Sequence, residues 1–168
     1  MPPADGTPPK VRLALYQSDI PQNLGATLRL AACLDVALDI IEPCGFPLTD
    51  KALRRTAMDY GKSVEITRHD GWSAFQDANR LAGRRLVLFS TRAEASLTSF
   101  TFGKDDCLLF GRESAGVPDE VHESVDARVR IPLSPGARSM NVAMSAGIAL
   151  WEALRQTGQL PPDQLPAR

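Results

Sequence analysis

Three short segments combine glycine, proline or an amide with a charged side chain, and each opens or leads into a predicted helix. They are residues 23–29, 111–116 and 131–141. Polar groups at the start of a buried helix commonly hold a ligand or a reacting group. The spacing therefore predicts one ligand site assembled from three distant parts of the chain.

In the first segment, Asn23 stands at a predicted helix start and Arg29 lies six residues further on. That separation is about 9 Å along the axis, and helical side chains lean back toward the N-terminus. We expect the Arg29 guanidinium to reach back toward Asn23 and make a polar, cationic mouth. An ordinary helix cap with a solvated arginine is the alternative.

In the second segment, Glu113 lies between Gly111 and Gly116, directly after a predicted strand. Ligands of open α/β sheets bind at the carboxyl ends of strands, and glycines allow close backbone approach. Glu113 is suited to accept hydrogen bonds from a ligand amine or from backbone amides. A simple turn with a helix cap is equally compatible with this segment alone.

In the third segment, Pro132 and Pro135 restrict the backbone of a loop between a predicted strand and a long apolar helix. Proline fixes φ and removes an amide donor, so the remaining backbone groups of the loop can be aimed at a planar ligand. Ser139 is the predicted cap of the helix. A tight connector between two core elements is the alternative.

Short apolar runs alternate with helical patterns between these segments, which predicts an α/β fold with a mostly parallel sheet flanked by helices. The predicted strands are 11–16, 37–42, 86–90, 107–110 and 128–133, and the predicted helices are 24–34, 50–58, 72–81 and 139–156. Seven of the 13 prolines lie in the first ten and last eight residues. We therefore expect one domain over 11–158, with flexible tails at 1–10 and 159–168.

Composition narrows the functional classes. The net charge is -1, so general basicity does not predict nucleic-acid binding, and a polyanion would need a local patch. Three cysteines without Cys-x-x-Cys pairing favour the reducing cytoplasm. No run reaches the length of a membrane helix. His69 and His122 lack metal-ligand spacing and are interpreted as surface or capping residues, so no metal site is expected.

Taken in order, the three segments resemble the three motifs of the SPOUT methyltransferases that methylate ribose hydroxyls of tRNA and rRNA. Asn23 and Arg29 match motif one, the Gly-x-Glu-x-x-Gly of residues 111–116 matches motif two, and the Ser-x-Asn of residues 139–141 matches motif three. The resemblance spans almost the whole predicted domain, and three matches in order are far more specific than one.

This resemblance implies a C-terminal deep trefoil knot, an exception to the rule that protein chains are unknotted. It also implies S-adenosylmethionine as the methyl donor, with S-adenosylhomocysteine as product. The implied cofactor-binding residues are Phe89, Gly111, Gly116, Ile131, Leu133, Ser139 and Met140. The implied catalytic residues are Arg29, which would act electrostatically because guanidinium stays protonated, and Asn23, Glu113 and Asn141, which would fix the surrounding hydrogen bonds.

Within this family the chain is most similar to members that methylate the tRNA wobble ribose, through residues 41–46 and 53–60. Arg112 departs from the proline of those members, so the substrate stays open. A SPOUT enzyme acting on rRNA or another tRNA position is one alternative, and a non-catalytic dimeric RNA-binding module is another. The family also implies a homodimer with sites at the subunit interface, which would cover the apolar helix face of residues 142–151.

A tRNA partner needs a basic surface. Phosphate contacts are predicted for Lys51, Arg54, Arg55, Lys62 and Arg68, and base stacking is predicted for Tyr60. The alternative is an ordinary solvated helix face, because nearby acidic residues almost cancel these charges.

Overall fold

The computed structural model describes residues 6, 8–59 and 64–163. Within these residues, seven strands and five helices alternate along most of the chain. In chain order they are β1 (Arg12–Tyr16), α1 (Pro21–Leu34), β2 (Leu38–Ile41), α2 (Asp50–Met58), β3 (Ile66–His69), α3 (Trp72–Leu81), β4 (Leu86–Phe89), β5 (Ala95–Ser96), β6 (Cys107–Phe110), α4 (Asp119–Ser124), β7 (Ala127–Arg130) and α5 (Val142–Thr157).

The strands form one sheet in the order β3-β2-β1-β6-β4-β7-β5, and every pairing between them is parallel. The predicted α/β class is therefore confirmed. Strands β1, β2, β4 and β6 are buried along their whole length. This explains why they read as continuous apolar runs in the sequence, as strands covered on both faces do.

Helices cover both faces of the sheet, and successive residues of β1 show this directly. Leu13 and Leu15 pack in a core with residues of α1, α2 and α5. Ala14 and Tyr16 pack in a second core with Phe75 of α3 and Val121 of α4. Burial of these two apolar layers supplies the main stabilisation of the fold.

Two predicted helix starts are wrong, and both corrections bear on the site. Helix α1 begins at Pro21, because proline suits the first helical turn, so Asn23 lies inside that turn and is not the cap. Helix α5 begins at Val142 and is capped by Asn141, whose side chain accepts a hydrogen bond from the Met144 amide. Ser139 is therefore not the cap. The predicted bounds of α2 and α3 are confirmed.

Other elements were misjudged or missed where the local pattern is weak. Strand β7 ends at Arg130, so residues 131–133 belong to the loop and not to the predicted strand. Strand β5 has two residues and helix α4 has six, too few to show a period. Strand β3 lies at the sheet edge and alternates apolar with polar residues.

His69 of β3 is buried and is not a surface residue. Its Nε2 lies 2.8 Å from Asp39 Oδ1, and Asp39 Oδ2 accepts a 2.6 Å hydrogen bond from Arg12 Nε. The three side chains sit on adjacent strands β1, β2 and β3 and join them by charge-assisted hydrogen bonds. This histidine therefore has a structural partner within the sheet.

The two ends of the described chain meet at one glutamine. The Gln159 side chain accepts a hydrogen bond from the Val11 amide and donates to the carbonyls of Pro9 and Lys104. It follows Gly158, whose φ of 70° ends α5 in the left-handed conformation expected of a C-terminal glycine. Among the described residues, no helix is long and apolar enough to cross a membrane.

Candidate active site

A cleft of about 860 Å³ lies at the carboxyl ends of β4, β6 and β7. Three loops wall it, which are the segment after β4, residues 111–118 after β6, and residues 131–141 before α5. The lining includes all seven residues predicted to bind a cofactor, namely Phe89, Gly111, Gly116, Ile131, Leu133, Ser139 and Met140. It also includes Asn23, Glu113 and Asn141.

The floor of the cleft is apolar and belongs to the packed core. The Phe89 and Phe110 rings stack with centroids 5.0 Å apart and planes within 10° of parallel. Both belong to the buried core on the α1 and α5 side of the sheet, and Ile131 and Val142 pack against that core. A floor of this kind suits a flat, largely apolar ligand group, whereas the surrounding loops offer backbone polar groups.

The Glu113 carboxylate points inward and joins the second segment to the first. Its Oε1 accepts hydrogen bonds from Asn23 Nδ2 at 3.2 Å and from Ser18 Oγ at 3.4 Å, and its Oε2 accepts from the Asp19 amide at 3.1 Å. The carboxylate is therefore surrounded by donors of the β1–α1 loop and the first turn of α1. This arrangement fixes how that turn meets the cleft.

Asn23 and Asn141 extend this contact to the third segment. Asn141 Nδ2 donates to Asn23 Oδ1 at 2.9 Å, and Asn141 Oδ1 accepts from the Met144 amide at 3.2 Å. A continuous hydrogen-bond chain thus runs from Glu113 through Asn23 and Asn141 to the start of α5. We call these three residues the amide relay. It brings together residues that are 118 positions apart in the chain.

Asp19 belongs to the same network and was not predicted from the sequence. Its Oδ1 accepts from the Glu113 amide at 3.2 Å, and its Oδ2 accepts from Ser114 Oγ. Hydrogen bonding with Glu113, followed by that with Ser114, lowers the pKa of the Asp19 carboxyl. An added methyl group at Gly45 would lie 2.9 Å from Asp19 Cβ, so a glycine is required beside it.

Gly111 and Gly116 close the second segment into a tight loop. The Arg112 amide donates to the Gly116 carbonyl at 3.0 Å, and the Gly116 amide donates back at 2.9 Å. An added Cβ at Gly111 would lie 2.6 Å from the Gly116 carbonyl carbon. Gly116 has φ 60°, in the left-handed region that glycine favours. Both glycines are therefore needed for backbone geometry.

Arg29 does not lie beside Asn23 in the protomer. Six residues rotate a helix by about 600°, which leaves the two side chains about 120° apart around the axis. Accordingly, Asn23 is buried and Arg29 is exposed, and Arg29 is absent from the lining of the cleft. Arg29 therefore does not line the cleft of a single chain, and its catalytic role stays a prediction.

The predicted RNA-binding residues divide into three groups. Lys51, Arg54 and Arg55 are exposed on α2, whose Leu53 and Ala57 face the core. Tyr60 and Lys62 lie outside the described residues. Arg68 forms the third group, because its side chain is bound by other residues of the protein.

The Arg68 guanidinium is engaged within the protein. It donates to Glu42 at 2.7 and 3.0 Å, to Asp50 at 2.9 Å and to the Leu48 carbonyl at 3.1 Å. Hydrogen bonding to Glu42 is the main reason that the pKa of Arg68 is raised. Its guanidinium therefore tethers β3 to the segment before α2 and is not directed at a phosphate.

Three arginines line the cleft that sequence analysis did not assign to the site: Arg92, Arg112 and Arg138. Arg92, in the segment after β4, forms a 2.9 Å ion pair with Asp119, the first residue of α4. The positions of Arg112 inside the second segment and of Arg138 inside the third were the signals that the sequence offered. As for metals, no cluster of three or more His, Cys, Asp or Glu side chains suited to a metal ion occurs in the described part of the chain.

Comparison with known proteins identifies the family of the chain. Residues 10–151 match the model of the SpoU rRNA Methylase family. The chain belongs to this family. The three residues of the amide relay come one from each of the three motifs that resemble those of ribose methyltransferases.

Relatives cover most of the chain. A protein of Beijerinckia indica named tRNA (cytidine(34)-2'-O)-methyltransferase is 58% identical over 148 residues, which are 88% of this chain and 92% of that protein. An Escherichia coli K12 protein with the same name is 35% identical over 150 residues, covering 88% of this chain and 94% of the relative.

Solved structures agree with this assignment. One, described as concerning the 2-OH methylation of C/U34 on tRNA, superposes with a TM-score of 0.79 at 42% identity and covers 89% of this chain and 97% of its own. The SpoU methyltransferase AviRb of Streptomyces viridochromogenes, in complex with the cofactor AdoMet, superposes with a TM-score of 0.76 at 26% identity. The match covers 89% of this chain and 61% of AviRb.

Gly111→Ala tests the tight loop. The new methyl group would overlap the Gly116 backbone, so we expect the free energy of unfolding to fall by about 1–3 kcal/mol in urea titration. Gly71→Ala is the matched control, since nothing lies within 4 Å of a Cβ at that position. Equal stability of the two variants would contradict the close approach of Gly111 to Gly116.

Asp19→Asn tests the lowered pKa. A carboxyl whose pKa is lower in the folded state stabilises the protein above its unfolded pKa of about 3.9, and this contribution is lost as the pH falls through the folded value. We therefore expect the variant to be less stable at pH 7 and to lose less stability than the parent below about pH 4. Urea titrations across pH measure this.

Asp77→Asn removes the same charge from the exposed surface of α3, away from the network, and serves as the control. If Asp19→Asn and Asp77→Asn gave the same acid profile, Asp19 would have no special stabilising contact.

Proposed function

We propose that the protein transfers a methyl group from S-adenosylmethionine to the ribose 2′-hydroxyl of the wobble nucleotide, cytidine 34 or a modified uridine 34, in the tRNA anticodon. The observation that carries this proposal is the convergence of all three motif segments on one cleft through the amide relay. The names of relatives that are 58% and 35% identical over almost their full length supply the substrate. A tRNA substrate is consistent with action in the cytoplasm.

The cleft fits the proposed cofactor in size and chemistry. Its stacked phenylalanine floor offers an apolar surface for a planar base, and backbone groups near Gly111, Ile131 and Leu133 suit polar edges. The Gly111–Gly116 approach keeps one wall free of side-chain bulk. When bound, S-adenosylmethionine supplies an electrophilic methyl group, and S-adenosylhomocysteine is the product.

The chain's own residues would position the ribose hydroxyl. Asn23, Glu113 and Asn141 hold one another, so we assign them to the shape of the site and not to proton transfer. A weakly acidic hydroxyl gains nucleophilicity when developing negative charge is stabilised in a fixed geometry. Arg29 carries a permanent charge suited to that task.

A homodimer would bring Arg29 to a cleft. On α5, Met144, Ile148 and Trp151 are 62%, 44% and 53% exposed and share one face at helical spacing. Helix α1, with Arg29 on its exposed face, packs against α5, and a Cβ added at Gly147 would lie 4.0 Å from Leu30 Cδ1. We propose that this face pairs with a second copy of the chain, so that Arg29 of one protomer serves a site shared with its partner.

A trefoil knot and a basic RNA face complete the proposal. The three loops that wall the cleft surround one ligand-sized space, and α5 returns from it to pack on α1. This is consistent with a C-terminal segment threaded through a preceding loop. Lys51, Arg54 and Arg55 supply the phosphate-binding face, together with Tyr60 and Lys62 as the sequence predicts.

The function is tested with purified protein, methyl-labelled S-adenosylmethionine and unmodified tRNA. We expect label in tRNA, and nuclease digestion followed by mass spectrometry should place it on the ribose of nucleotide 34. Label at another nucleotide, or in rRNA only, would favour a different specificity within the family. Binding of tRNA without any methyl transfer would reject the enzymatic proposal.

Arg29→Ala tests the electrostatic role. Loss of one charge-stabilising donor typically lowers kcat by about 100- to 1000-fold. We expect a loss of that order, with nearly unchanged dissociation constants for cofactor and tRNA. Near-normal turnover would show that Arg29 does not act on the reacting hydroxyl.

Trp151→Glu tests the dimer. A carboxylate in the centre of the apolar α5 face is expected to convert the dimer to monomer in light-scattering chromatography and to abolish methyl transfer. Leu81→Glu is the control, because Leu81 is 89% exposed on α3, on the opposite side of the sheet. A dimeric and active Trp151→Glu protein would place the interface elsewhere.

A further inference from the structure

We propose that Arg112 is a substrate-binding residue that holds a phosphodiester adjoining the nucleotide whose ribose is methylated. The proposal rests on the function proposed above and names a contact that this function leaves unassigned. It concerns the second residue of the tight Gly111–Gly116 loop.

The geometry of Arg112 is fixed before any ligand binds. Its amide and carbonyl both pair with Gly116, at 3.0 and 2.9 Å. Its guanidinium carbon lies 5.6 Å from the centroid of the Tyr16 ring. Tyr16 is buried and is braced by Trp72, whose ring meets it edge-on at 6.1 Å. Stacking on an immobile ring reduces the entropy that a long arginine side chain loses on binding.

The charge of Arg112 is not matched by a carboxylate. Among the residues described, no carboxylate oxygen lies within 4.0 Å of its guanidinium nitrogens. The adjacent Glu113 faces inward to Asn23, and Asp19 is engaged with Ser114 and the Glu113 amide. Arg92 on the same cleft already has Asp119. A partly buried, preoriented guanidinium without a counter-charge is suited to bidentate pairing with a phosphate.

The position of Arg112 favours RNA over the cofactor as its ligand. The apolar floor, with Phe89 and Phe110, belongs to the core on the α1 and α5 side of the sheet. Tyr16, which carries Arg112, belongs to the core on the α3 and α4 side. The Tyr16 ring that contacts the Arg112 guanidinium therefore lies on the opposite side of the sheet from the Phe89 and Phe110 floor, although Arg112 itself lines the cleft. An RNA substrate that enters the cleft would contact Arg112.

The experiment compares Arg112→Gln with Arg80→Gln. Arg80 is exposed on α3 and away from the cleft, so the control removes one positive charge without touching the site. For Arg112→Gln we expect tRNA binding about tenfold weaker. We also expect the slope of log K against log salt to be smaller by about one, and calorimetry to show an unchanged dissociation constant for S-adenosylmethionine.

Arg112→Lys keeps the charge but lacks the planar fork, so it should restore the salt slope and only part of the affinity. Melting temperatures of the variants confirm folding. A tRNA with one methylphosphonate beside nucleotide 34 should weaken binding of the parent protein, yet leave binding of Arg112→Gln almost unchanged. This non-additivity would identify the phosphate directly.

Unchanged tRNA affinity in Arg112→Gln would overturn the proposal. So would a loss of affinity for S-adenosylmethionine instead of tRNA, which would assign the guanidinium to the cofactor's carboxylate. An additive response to the methylphosphonate would also reject it. Failure of the proposed function is separately visible, because the parent protein itself would then not methylate nucleotide 34.

Discussion

The amide relay of Glu113, Asn23 and Asn141 is the constraint on which the site depends. The sheet brings the carboxyl ends of its strands to one edge, but strand pairing alone leaves the connecting loops free to take several conformations. The relay removes that freedom because each member satisfies a polar group of the next and its last member caps α5. A side-chain hydrogen-bond network specifies one arrangement most strongly when every member has a partner.

This constraint also separates the roles of the charged residues. The Glu113 carboxylate lies among amide and hydroxyl donors, so its charge organises the loops. Arg68 and Arg92 are balanced by carboxylates within the protein. Arg112, by contrast, is held on Tyr16 without a carboxylate partner among the described residues. The cleft thus has a polar framework held by hydrogen bonds, and it has arginines in its lining that suit RNA.

The amide relay also fixes the position of exposed apolar residues on the surface. Met144, Ile148 and Trp151 lie on the helix that the relay caps, so the relay also sets the direction of the face proposed to bind a second copy. A displaced α5 would change both the cleft wall and that face. Cofactor binding and dimerisation would then share one structural element.

The sequence predicted the features that depend on local pattern. The bounds of α2, α3 and β6 were correct because apolar spacing and flanking residues define them. The three motifs also grouped residues that meet at one cleft, with the exception of Arg29, whereas the roles given to those residues stay predictions. However, the cluster of basic residues near α2, from which RNA binding was predicted, could not reveal that Arg68 is paired with Glu42 and Asp50.

The sequence could not show which way a side chain points or which other side chain it contacts, because tertiary packing decides both. The spacing of Asn23 and Arg29 suggested proximity, yet helix rotation places them on different faces. Ser139 and Asn141 are both good capping residues, and in the structure it is Asn141 that accepts from the Met144 amide while it also donates to Asn23. Asp19 has no motif at all, because its role arises from a loop that is 94 residues away in the chain.

The most direct measurement is a double-mutant cycle between Glu113→Ala and Asn141→Ala, read as the free energy of unfolding in urea. Among the described residues, hydrogen bonds join these two side chains through Asn23. The loss of the α5 cap occurs in both variants that lack Asn141, so it cancels in the cycle. If the relay acts as one unit, the double variant should lose less stability than the sum of the single losses, by about 1 kcal/mol. Strictly additive losses would contradict the account.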